Sequence, residues 1–73
     1  MPRYVFSAKL APEQVLAYYR QHATSVIVVT DQGLKIQLEI RHFQPFFTHH
    51  GLDGRFVLDT DHSGRFIRLE KII

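Results

Sequence analysis

Cysteine and tryptophan are both missing from this chain, and the first absence closes off two kinds of solution. Without cysteine there is no disulfide framework and no thiolate zinc site, which are common staples of small domains. Charge of one sign is also scarce. Nine Lys and Arg stand against seven Asp and Glu, a formal balance of +2. Nothing here matches the clustered positive footprint of a typical nucleic-acid binder. No apolar run approaches the roughly 18 residues of a membrane span. The opening Met-Pro-Arg-Tyr-Val-Phe lacks the charged region and long apolar core of a signal peptide. We therefore expect a cytoplasmic protein without membrane contact.

What is present fits a folded chain. Hydrophobic residues make up 45% and charged residues 22%, a balance that argues against disorder. Seventy-three residues suggest a single domain, 1–73. A chain of this size buries only about 60% of the surface its unfolded form exposes. Its core alone supplies about 3–5 kcal/mol of net stability. Self-association, or tight packing of a core rich in phenylalanine and tyrosine, must then take the place of a covalent staple. We expect a homo-oligomer.

Alternation of Tyr4, Phe6, Ala8 and Leu10 against Val5, Ser7 and Lys9 predicts a first strand. Ala11-Pro12-Glu13 predicts a helix start, with proline at the first helical position and Glu13 facing the positive end of the helix dipole. Val15, Leu16 and Tyr19 recur at helical spacing, so a short helix should run from Pro12 to about Gln21 and lie on the sheet. Ser25–Thr30 is rich in β-branched residues and predicts a strand with both faces covered. Asp31-Gln32-Gly33 supplies a tight turn. Leu34–Arg41 then alternates with Leu34, Ile36, Leu38 and Ile40 inward. Arg55–Thr60 and Arg65–Glu70 flank Asp61-His62-Ser63-Gly64 and predict a second hairpin.

Between the hairpins lies an irregular stretch, Arg41–Phe56. It holds four of the six phenylalanines and three of the five histidines. Pro45 cannot donate to a ladder, so the strand before it must stop, and Arg41–Gln44 can form one helical turn. Gly51 and Gly54 are expected to bracket a turn. The order predicts an α+β domain. Its core element is a small, mainly antiparallel sheet of about five strands, β-α-β-β-β-β, with one short helix packed on it. The apolar inner face can curl toward a barrel; pattern alone leaves open or closed undecided.

The spacing of Tyr18-Tyr19, Asp31-Gln-Gly33, Pro45-Phe46, Gly51-Leu-Asp-Gly-Arg-Phe56, Arg65-Phe66 and Leu69-Glu70 resembles a family of small proteobacterial proteins. That family is the domain of unknown function numbered twenty-eight thirty-five. The likeness runs nearly end to end, and Gly-x-x-Gly-Arg-Phe after Pro-Phe is its most specific part. It implies a stand-alone bacterial domain in a cytoplasmic setting. No activity is assigned to the family, so no catalytic or ligand residues carry over.

Chemistry-bearing constellations are thin. His42, His49 and His50 lie near one another, but adjacent His49 and His50 would point opposite ways on a strand, and Asp53 is the only acid nearby. No metal and no cofactor are expected. No serine lies in a Gly-x-Ser-x-Gly elbow, and so small a domain has little volume for a water-excluded pocket. We expect no enzyme. The remaining classes are a protein-interaction or self-association module and, as the alternative, a binder of single-stranded nucleic acid, RNA above all, through an arginine and phenylalanine surface. The expected contact residues are Arg41, Phe47, His49 and Arg55. Phe47 is expected partly exposed because Phe46 and Phe47 are consecutive, while at least three of Phe43, Phe46, Phe56 and Phe66 should be core.

Overall fold

Alternation at the start of the chain becomes β1, Arg3–Leu10, in the computed structural model, which describes residues 2–73. Phe6 and Leu10 are buried while Arg3, Ser7 and Lys9 are exposed. Helix α1 follows at Pro12–Tyr19. Ala11 carries no side-chain acceptor, so Gln14 caps alone: its Oε1 accepts the Ala11 N–H at 2.8 Å, one half of a capping box. The helix ends at Tyr19, not near Gln21. Gln21 adopts a positive φ of 63°. The His22 N–H donates to the Ala17 carbonyl at 2.8 Å and the Gln21 N–H to the Tyr18 carbonyl at 3.0 Å. These are the paired bonds of a Schellman close, with glutamine where glycine is usual.

β2 (Ser25–Val29) and β3 (Lys35–Glu39) form the first hairpin, in register from Ser25 opposite Glu39 to Val29 opposite Lys35. The expected double coverage of β2 is wrong. Val28 is buried, but Ile27 is 64% and Val29 53% exposed, because only one face of this hairpin meets the core. Leu34 is also exposed: it belongs to the turn, where its N–H donates to Thr30 Oγ1 at 3.1 Å. β3 stops at Glu39 instead of Arg41, because Ile40 already opens a 3-10 helix, Ile40–Phe46. The helical turn expected at Arg41–Gln44 is therefore real but longer. In this geometry residues three apart share a face, which sends Ile40 and Phe43 together into the core.

Thr48 and Gly51 then close a tight turn, each N–H donating to the other's carbonyl at 2.8 and 2.9 Å. Gly51 has a φ of 96°, and a Cβ there would lie 2.1 Å from the Leu10 carbonyl oxygen. Only glycine fits. β4 spans Leu52–Thr60 and β5 Phe66–Lys71. β4 thus begins earlier than Arg55, and Gly54 sits inside the strand instead of bracketing a turn, beside the Ile73 backbone.

The expected α+β order is found, with all five strands antiparallel. They divide into a three-stranded sheet, β1-β4-β5, and the β2-β3 hairpin. The two are joined by a lone bridge between Phe6 and Thr30, beside which the Asp31 N–H donates to the Val5 carbonyl at 2.9 Å. Among the described residues no ladder joins β3 to β5, so the barrel is not closed. The core fills the space between the sheets. Phe6 stacks on Phe56 with centroids 6.0 Å apart, and Phe43 meets Phe56 edge-on at 5.2 Å. Of the four phenylalanines expected in the core, Phe43 and Phe56 are fully buried and Phe46 packs partly against them, while Phe66 is exposed.

Candidate functional site

The stretch from Ile40 to Gly51 crosses from one sheet to the other, and its side chains fan out in several directions. Phe43 enters the core. His42 turns the other way and stacks flat on Phe66 of β5, with centroids 3.8 Å apart and planes 7° from parallel. His42 and Phe66 help to line a cavity of about 350 Å³ between β3 and the three-stranded sheet, together with Tyr4, Leu34, Ile36 and Leu58. Burial, aided by the nearby Arg41 guanidinium and opposed by Glu39, lowers the His42 pKa from its ordinary value.

The four expected contact residues fall apart into separate settings. Arg41 points to solvent and pairs with Glu39 at 2.7 Å. Phe47 is half-buried and meets the rings of Tyr18 and Tyr19 edge-on at 6.0 and 6.2 Å. His49 is exposed and leans on His50. Arg55 lies on the outer face of β4, where it donates to Ser7 Oγ at 2.9 Å and pairs with Asp31. Among the described residues, no hydrogen bond, ion pair or ring contact joins any two of the four.

Other surfaces gather more. Tyr18, Tyr19 and Phe47 form a three-ring cluster at the end of α1, braced by a 3.4 Å hydrogen bond from the Tyr18 hydroxyl to Gln44 Oε1. The Tyr18-Tyr19 doublet and the expected partial exposure of Phe47 are its sequence signals. On the outer face of the hairpin, Ile27 and Val29 stand side by side, with Gln37 and Lys35 as their cross-strand neighbours. Ser25–Thr30 offers no alternation from which that exposure could be read.

Charge is concentrated on the outer face of the three-stranded sheet and is largely paired there. The Asp59 carboxylate, only 6% exposed, receives Arg3 Nε at 2.8 Å and Arg68 Nη2 at 3.0 Å. Arg3, and after it Arg68, hold this carboxyl below the usual carboxylate range against the opposing effect of burial. Arg68 also reaches Glu70 at 3.1 Å. Asp61 is lowered in the same direction, chiefly by the Arg65 backbone N–H that donates to it at 2.8 Å in the β4–β5 turn. Among the described residues, no three His, Asp or Glu side chains gather in a metal-binding group. No helix among them is long and apolar enough to cross a membrane.

Comparison with known proteins returns one family. A family model described as "Protein of unknown function (DUF2835)" matches residues 2–72. No curated protein and no solved structure matches the chain.

Proposed function

This chain belongs to the DUF2835 family of proteins of unknown function, and from that premise we propose that it is a non-catalytic binding module that works through protein contacts. The observation that carries the reading is the pair Ile27 and Val29, exposed together on the outer face of the hairpin. Apolar side chains on the outer face of a hairpin add nothing to the core, and contiguous apolar surface of this kind marks interaction sites. The polar rim of Gln37, Lys35, Ser25 and Glu39 is the usual surround of a protein contact. The test is the double variant Ile27→Lys/Val29→Lys. It should fold as the wild type does, yet lose the proteins that immobilised wild type retains or, where the partner is another copy, its self-association. An unchanged set of contacts would end this reading.

Single-stranded nucleic acid is the second reading, supported by the Tyr18, Tyr19 and Phe47 rings on which bases could stack. Against it, Arg3, Arg41, Arg55 and Arg68 are already engaged by carboxylates. Fluorescence anisotropy with short RNA and single-stranded DNA decides between them. Binding that weakens steeply with salt would favour it, and no binding at low salt would retire it.

A further inference from the structure

The order β1-β4-β5 leaves β5 with a ladder on one side. The Ile72 N–H donates to the Arg55 carbonyl at 2.8 Å, so the even-numbered backbone groups at this end of the sheet serve β4. Alternation along an antiparallel ladder then turns the N–H and C=O of Leu69 and Lys71 to the open side. An open edge of this kind is a template for another strand. Arg68, Glu70 and Lys71 are exposed, and beyond the strand Ile72 and Ile73 are exposed as well. The opposite edge of the same sheet is different: there Thr30 and Asp31 already bridge to β1.

We infer that two copies of this chain join by antiparallel pairing of their β5 strands about a two-fold axis at Leu69. The inference rests on the protein-binding reading above and names the partner as a second copy. Register is what singles out this arrangement. Centring the pair on Leu69 makes its N–H and C=O exchange bonds with those of the other copy, as a hydrogen-bonded antiparallel pair requires. It also sets Arg68 opposite the other copy's Glu70, and Glu70 opposite the other copy's Arg68, on the outer face. Opposite charges directly across a ladder are favourable, and like charges are not. Ile67 is the residue at which the register with β4 slips, so it does not centre a regular pair, and centring on Lys71 places Glu70 opposite Ile72, which does not match charge. The paired charges Arg3, Asp59, Arg68 and Glu70 would then continue without a break from one copy into the next. The contact is self-complementary and closes at two copies, because the same edge is used on both sides.

Sedimentation velocity from low micromolar to near-millimolar protein should show a monomer–dimer equilibrium. Hydrogen exchange on the wild type should show the Leu69 and Lys71 amides gaining protection as concentration rises, while the exposed turn at Ser63 does not change. Glu70→Arg places like charges across both pairs and should weaken the dimer roughly tenfold. Adding Arg68→Glu to it restores the opposite pairing and should recover most of that loss. Because Arg68 also contacts Asp59, a third variant avoids the charges altogether. Lys71→Pro removes an outward donor and spares the ladder to β4, as proline on an edge strand can; it should abolish the dimer while the protein still melts cooperatively. A wild type that stays monomeric at every concentration overturns β5 pairing and leaves the Ile27 and Val29 reading standing. A dimer lost in Ile27→Lys/Val29→Lys but untouched by Glu70→Arg and Lys71→Pro also overturns it, and supports that earlier reading instead.

Discussion

The outer face of the three-stranded sheet and the outer face of the hairpin are both built from strand residues pointing away from one core, and they are finished differently. On the first, Arg3, Asp59, Arg68 and Glu70 are joined by ion pairs, and Arg55 bridges Ser7 to Asp31. On the second, Ile27 and Val29 stand in solvent opposite Gln37 and Lys35. A paired face satisfies itself, and disturbing it affects stability. An apolar face left in water contributes nothing to the folded chain that the unfolded chain lacks, so its cost or value appears when something covers it. The contrast separates residues that hold the fold from residues available for contact.

The sharpest way to break the comparison is to measure both sides by urea unfolding. Phe56→Ala removes the ring against which Phe6, Phe43 and Phe46 pack and should cost about 3–5 kcal/mol, close to the whole stability of so small a domain. Ile27→Ala, though also an apolar truncation on a strand, should stay within about 0.5 kcal/mol of wild type. Similar losses for the two would mean that the hairpin face is covered in solution.

Acid should act first on the charged face. Asp59 and Asp61 have folded values below those of the unfolded chain. Their contribution is present above the unfolded carboxylate value near pH 4 and is lost as pH falls through the lowered folded values. Urea midpoints should drop steadily below about pH 4, and Asp59→Asn should start lower at neutral pH and show a flatter acid limb. An unchanged limb in that variant would show that the clamp of Arg3 and Arg68 adds nothing to folding.

The smallest effect should come from the cavity between the sheets. His42 is also lowered, so its neutral form is favoured by the fold. That contribution is present above the ordinary histidine value near pH 6.5 and is lost as pH falls through the folded value. Ring resonances of Phe66, which lies flat against His42, should shift over the same pH range in which His42 titrates. Phe66 resonances that ignore that titration would place the two rings apart.

Much of this fold was legible in the sequence, for reasons that can be named. Strict alternation marked β1 and β3, Pro12 marked the helix start, and Gly33 with Gly64 marked turns that both need a positive φ. The misreadings share a cause. A run such as Val26-Ile27-Val28-Val29 has no polar beat, so which side is dry depends on whether a second layer exists, and among the described residues none covers the outer side. Ile40 continues the alternation of β3 and yet leaves the strand, because Phe43 three residues later claims the same core face. Residue type and nearness along the chain are all the sequence offers to group Arg41, Phe47, His49 and Arg55. Arg55 is instead held by Asp31, 24 positions away, and Phe47 by tyrosines on α1. Such partners are set by packing, and packing leaves no local mark.

The pairing of β1 with β4 also bears on how the chain is made. Arg3 and Asp59 are 56 positions apart. At the usual pace of synthesis, about 5–20 residues per second, β1 waits several seconds for its partner to appear. The β2–β3 hairpin is fully synthesised within that interval, but Val28 and Leu38 reach their core only when the later strands arrive. During translation β1 and the hairpin residues are therefore both made before the strand that pairs with β1 along its length. It is β4, made after these pieces and flanked by β5 once that last strand follows, that turns them into one cooperative unit.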